Sequence, residues 1–221
     1  MSIRTFHPRR GRLSGRHHDA LDRLHAVHGL VVADLVGPLD LVASFGRSAP
    51  VVLDIGFGMG DATATMAAAD PGRDYLAVEV HTPGIANLLA LIERDGLTNV
   101  RVATGDALDL ARRCLSENSL DAVYAFFPDP WPKTRHHKRR LIQPDHVALL
   151  RSRLRRGGRL HCTTDWAPYA EVMLTTLQAD PELVNPHDGF APRPAYRPET
   201  KFERRGLRAG RPAYDLILVR R

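Results

Sequence analysis

Between residues 51 and 164, short apolar runs alternate with stretches whose apolar positions return every three or four residues. The runs at 51–55, 75–80, 100–104, 121–127 and 159–164 are rich in β formers and too short for buried helices, so they predict buried strands. The stretches at 61–69, 83–94, 107–115 and 143–154 predict helices, and another is expected at 168–179. Asp61 stands where the first of these helices needs an N-cap. Strands and helices taking turns imply an α/β fold, a parallel sheet with helices on both faces. Beyond residue 180, Pro181, Pro186, Pro192, Pro194 and Pro198 punctuate a long loop before 214–219 closes the chain as a strand. A loop of that length inside a compact domain is usually functional.

Ahead of residue 51 the pattern is weaker. Leu21, Leu24, Ala26 and Val27 give helical spacing within 19–36, and 38–45 reads as a short helix. Residues 1–16 carry Arg4, Arg9, Arg10, Arg12 and Arg16 with no acid and no apolar periodicity, the composition of a flexible basic arm. The chain therefore divides into a basic arm with a weak helix at 1–36 and a single domain at 37–221. A length of 221 residues is enough to bury one substantial core. No apolar run approaches the roughly 20 residues of a membrane helix, and no apolar secretory segment opens the chain, so a cytoplasmic protein with no membrane partner is expected. Cys114 and Cys162 are isolated, one in a predicted helix and one in a predicted strand, and read as buried thiols.

Charge sharpens the picture. The net charge of +6 and the isoelectric point near 9.8 call for an anionic partner. Directly after the strand at 121–127 come Lys133, Arg135, Lys138, Arg139 and Arg140, with His136 and His137 among them, a density that suits a phosphate backbone. The two histidines lack neighbouring third and fourth ligands, so no metal is expected.

Candidate chemistry gathers where ligands bind in open α/β sheets, beyond the carboxyl ends of the strands. The strand at 51–55 runs into the turn Gly56-Phe57-Gly58-Met59-Gly60. A dinucleotide fingerprint needs a further glycine at 61, where the helix N-terminus meets the pyrophosphate; Asp61 would repel it. S-adenosylmethionine has no phosphate and tolerates that charge. Glu79, ending the second strand, offers two acceptor oxygens to the two ribose hydroxyls. Asp106, after the third, is placed for an adenine amino group and equally for an N-cap. Asp129 follows the strand at 121–127, inside Pro128-Asp129-Pro130-Trp131-Pro132. That short motif alone also suits a DNA amino-methyltransferase.

Several segments together carry a family resemblance: Leu53 through Gly60, Glu79-Val80-His81, Phe127-Pro128-Asp129-Pro130-Trp131 with its basic tail, Thr164-Asp165-Trp166, and Thr200-Lys201-Phe202-Glu203. In this order they resemble the bacterial tRNA (guanine-N7)-methyltransferases. The resemblance implies a Rossmann-like class I methyltransferase fold with a seven-stranded, mostly parallel sheet, and methyl transfer from S-adenosylmethionine to N7 of guanine 46 in the tRNA variable loop. It implies Asp54, Gly56, Gly58, Gly60, Glu79, Asp106 and Asp129 at the cofactor, with Asp129 also catalytic. It places Lys133, Asp165, Thr200, Lys201, Phe202 and Glu203 on the substrate, and Arg135, His136, His137, Lys138, Arg139 and Arg140 on RNA. Asp54 departs from the pattern, since the family often has glutamate there, one methylene longer. The chemistry agrees from below. Guanine N7 carries an in-plane lone pair, so no strong base is needed; positioning and a carboxylate that stabilises charge developing on the ring suffice. Two residues keep two readings each at this level. Asp165 either shares that task or caps the helix near 168, and Trp131 either stacks on the base or packs the loop.

Overall fold

The computed structural model describes residues 5–6 and 13–221. Arg4, Arg9, Arg10 and Arg12 of the expected arm lie outside these residues. The chain begins with α1 (Gly15–His28), β1 (Gly29–Val31) and α2 (Leu41–Phe45). It continues through β2 (Val51–Ile55), α3 (Asp61–Ala69), β3 (Asp74–Glu79), α4 (Thr82–Asp95), β4 (Val100–Thr104), α5 (Ala107–Cys114) and β5 (Leu120–Phe126). The second half holds α6 (Pro144–Arg153), β6 (Leu154–Thr164), α7 (Ala167–Gln178), β7 (Leu183–Val184), α8 (Lys201–Arg208) and β8 (Tyr214–Arg220).

The sheet order is β1-β4-β3-β2-β5-β6-β8-β7, and the sheet has eight strands where seven are expected. The pattern places six of the eight; the two it does not show are β1, three half-buried residues parallel to β4, and the two-residue β7. A segment that short shows no alternation to read. β8 runs antiparallel to β6, and β7 antiparallel to β8, so the sheet is mostly parallel. Because β2 pairs with β3 on one side and β5 on the other, the order reverses there and opens a crevice beyond the two carboxyl ends.

Apolar side chains on successive residues point to opposite faces, and each face has its own core. Leu53, Ile55, Val123 and Leu160 join Leu110, Leu150 and Met173 from α5, α6 and α7. Val52, Ala77 and Tyr124 face Met66, Leu88 and Ile92 from α3 and α4. α1 packs beyond α4, where Arg23 bridges Asp19 of its own helix and Glu93.

Three local expectations change. Asp61 is the first residue of α3, and the N-cap is Gly60 in a left-handed conformation with no side-chain bond. α7 is preceded by Trp166, so Asp165 is not its cap. The region after residue 180 contains β7 and α8 within the long loop. Cys114 and Cys162 are free and buried, and burial pushes the Cys162 thiol up to about 12.

Candidate active site at the carboxyl edge of the sheet

The glycine turn after β2 is held from two sides. Gly56, Gly58 and Gly60 have φ of 70°, 63° and 81°, left-handed values that only glycine adopts freely. The first turn of α4 lies directly against it. A Cβ on Gly84 would stand 1.8 Å from the Gly58 carbonyl oxygen, so the helix approaches this closely only because residue 84 has no side chain. Asn87 Nδ2 donates to the Met59 carbonyl at 2.7 Å. From β3, Glu79 Oε2 accepts the Gly58 N–H at 3.0 Å, and its Oε1 accepts the Val80 and His81 N–H groups at 2.7 and 3.1 Å. Glu79 is therefore half-buried and fixed in orientation, not a solvated surface acid. Sequence reasoning missed Gly84 and Asn87; the available signal was a glycine just inside a helix that starts with proline.

Asp54, the penultimate residue of β2, is 3 % exposed and accepts a hydrogen bond from Thr63 Oγ1 at 2.7 Å. Burial pushes its carboxyl up to about 6; the Thr63 bond opposes the shift and the Glu79 charge adds to it. Asp106 caps α5, its Oδ1 accepting the Leu108 and Asp109 N–H groups at 2.7 and 3.3 Å. Its cap role leaves Oδ2 for an outside donor, among the described residues. These acids stand at the carboxyl ends of three adjacent strands.

β5 ends in a loop with a strained backbone. Phe127 and Trp131 have φ of 53° and 44°, and left-handed bulky residues of this kind concentrate at functional sites. Asp129 is half-buried between them. The Phe127 N–H donates to the Thr163 carbonyl at 2.7 Å, and its ring meets Phe202 edge-on at 5.2 Å. Trp131 is 8 % exposed: its indole N–H donates to the Thr5 carbonyl at 3.2 Å, and the Arg139 guanidinium sits 5.0 Å from its ring. Trp131 thus packs the loop. The exposed ring on this side of the loop is Phe202, 53 % accessible, which meets Phe127.

The basic run forms a 3-10 helix, Thr134–Arg139. Lys133, Arg135 and Lys138 are exposed, while His136, His137 and Arg139 are half-buried. Arg140 turns inward. It is 4 % exposed, donates from Nε to the Pro130 carbonyl at 2.9 Å, meets His137 Nε2 at 3.0 Å and covers the Tyr169 ring at 4.6 Å. Arg140 therefore ties the Asp129 loop to α7 and does not join the exposed cations.

The expected substrate residues divide in the same way. Thr200 caps α8 by accepting the Glu203 N–H at 3.0 Å. Glu203 is 4 % exposed and receives both Arg197 NH groups at 2.7 Å. Lys201 and Phe202 point outward. Asp165 accepts from Arg211 Nε at 3.0 Å, which links the end of β6 to the segment after α8. Behind Glu203, Arg197 also bonds Asp215 at 3.0 Å, and Asp215 accepts from Thr163 and His161, each at 2.7 Å. A carboxylate only accepts, so His161 Nε2 carries the proton and Nδ1 accepts from the Tyr196 hydroxyl at 3.0 Å. Burial keeps His161 below its ordinary range and hence neutral. Among the described residues no group of acids, histidines and cysteines is arranged to hold a metal, and no helix is long and apolar enough to cross a membrane.

A reversing α/β sheet, a glycine turn after its central strand and a row of acids at successive strand ends define a Rossmann-like methyltransferase. Solved structures agree on the fold: the 16S rRNA methyltransferase KamB aligns with a TM-score of 0.60 at 17% identity over 86% of this chain and 99% of that one. The aminoglycoside resistance methyltransferase NpmB1 gives 0.55 at 15% identity, over 80% and 90%. The family described as putative methyltransferase matches residues 48–216. A tRNA (guanine-N(7)-)-methyltransferase of Streptomyces avermitilis is 55% identical over 99% of this chain and 75% of its own length, and one from Aromatoleum aromaticum is 52% identical over 100% and 84%. The chain belongs to the tRNA (guanine-N(7)-)-methyltransferase family.

Proposed function

We propose that this protein transfers the methyl group of S-adenosylmethionine to N7 of guanine 46 in the variable loop of tRNA. The observation that carries the reading is the row of carboxylates Asp54, Glu79, Asp106 and Asp129 beside a segment that exposes Lys133, Arg135 and Lys138. The residues fit the cofactor. Asp54 is a desolvated carboxyl whose raised pKa marks a site that gains from N–H donors or a cation. Glu79 orders the glycine turn and ends the strand where ribose hydroxyls need acceptors, and Asp106 keeps an oxygen for an amino group. S-adenosylmethionine supplies an electrophilic methyl on a sulfonium, which guanine N7 attacks with its own lone pair. Asp129, held between two strained residues, stabilises the positive charge that arises on the guanine ring and orients its N–H edge. Phe202 provides an aromatic face to the base. Lys133, Asp165, Thr200 and Glu203 shape the substrate side, the last two through α8. We take the methyltransferase domain expected at 37–221 to extend back through β1 and α1, because β1 pairs with β4 and α1 packs on the core, and place the enzyme in the cytoplasm with its RNA.

The test is transfer of labelled methyl to tRNA lacking the modification, followed by nucleoside analysis. Label in 7-methylguanosine is expected, and a transcript with adenine at position 46 should take none. Label in another nucleoside, or in DNA alone, overturns the reading.

A further inference from the structure

α8 places Lys201, Arg204, Arg205 and Arg208 at three- and four-residue spacing, so on a helix they form one stripe about 10 Å long. All four are exposed, while Glu203 and Gly206 face the protein. Helix stability does not explain the stripe. Cations near the C-terminus favour the helix dipole, which accounts for Arg205 and Arg208, but Lys201 and Arg204 stand at the N-terminal end, where the dipole disfavours them. Neighbouring acids do not neutralise it either. Arg204 lies 4.0 Å from Glu199, and the other three have no ion pair among the described residues. The helix is nevertheless fixed in place: Glu203 is clamped by the buried Arg197, Phe202 meets Phe127 at the end of β5, and Arg211 beyond it is held by Asp165 at the end of β6. These anchors put the stripe on the same carboxyl edge as Asp129 and the basic 3-10 helix.

We propose that the exposed face of α8 is a second phosphate-binding surface for tRNA, with Arg204, Arg205 and Arg208 as its contacts. The inference rests on the tRNA reading above and extends it. A fixed row of cations, of which only Arg204 has an ion pair among the described residues, grips the backbone flanking the reacting base, while the 3-10 helix holds a separate stretch. Two grips on one edge orient a folded RNA where one only attracts it.

The experiment compares tRNA binding across a salt series for the full chain, for Arg204→Gln/Arg205→Gln/Arg208→Gln, and for a control with Arg94, Arg112 and Arg156 changed to Gln. The control positions are exposed and lie at the opposite end of the sheet, where α4 and α5 finish and β6 starts. The α8 variant should lose about two to three units of the slope of log K against log salt, at roughly 0.7 to 0.9 per phosphate contact. The control should keep the parental slope, and S-adenosylhomocysteine affinity and thermal midpoint should match the parent in both. A parental slope in the folded α8 variant overturns the proposal, as does an equal loss in the control, which would reduce the effect to net charge. If the triple variant is unstable, Arg208→Gln alone should lose close to one unit. Assaying the parent for 7-methylguanosine in parallel separates failure of this inference from failure of the enzyme assignment.

Discussion

At the residue scale, the site rests on a few carboxylates that do different work. Asp129→Asn keeps shape and removes charge, and is expected to lower kcat by roughly 10² to 10³ with little change in cofactor affinity. Single-turnover methylation and calorimetry check the two halves; a kcat within about threefold of the parent removes Asp129 from the chemistry. Glu79→Ala should weaken S-adenosylmethionine binding by about 1 to 3 kcal/mol, because it deletes a charged acceptor and also releases the Gly58, Val80 and His81 N–H groups it fixes. Asp54 gives a pH signature. Its folded pKa, about 6, stands above the unfolded value of 3.8, so between those values the folded state holds more protons than the unfolded chain. Stability therefore falls as pH rises through that window, by about 3 kcal/mol in all. Asp54→Asn should flatten this part of the profile of denaturation midpoint against pH; a variant that keeps the parental slope there would assign it to other groups.

At the element scale, the two substrate-side segments are held by buried polar contacts, each built around an inward arginine. Arg140 ties the Asp129 loop to α7, and Arg197 ties α8 to β8 through Glu203 and Asp215. Removing one partner of such a buried pair leaves the other charge uncompensated. Arg197→Ala should accordingly cost about 3 to 5 kcal/mol in denaturant unfolding, more than truncating any exposed arginine of the basic run. The sequence shows these arginines only as positive charge. Arg135 and Arg140 look alike in a basic run, and only the 3-10 helix decides that one faces solvent and the other a tyrosine ring. The same limit hid α8. Its buried face is Glu203 and Gly206, with no apolar stripe to reveal a helix, whereas β2 through α5 were legible because their buried faces are apolar and periodic.

At the scale of the whole molecule, the parallel strands β2 to β6 send their carboxyl ends, and the starts of α3 to α7 that follow them, to one edge, so the site assembles from segments far apart in sequence. The motif order already implied this, since Asp54, Glu79, Asp106 and Asp129 follow successive strands. What the motifs did not carry was the close packing beneath them, the approach of Gly84 to Gly58 and the edge strand β1. One contact spans more than half the chain: Trp131 donates its indole N–H to the Thr5 carbonyl while Arg139 lies over the ring. The chain has two tryptophans. With Trp166 changed to Phe, ultraviolet emission would come from Trp131 alone, from an indole shielded from water and sensitive to both the N-terminal segment and a cation of the basic run. Truncating the segment should shift that emission to the red. Adding tRNA should change its intensity, making the enzyme its own optical reporter of how the N-terminal segment and the basic run meet the nucleic acid.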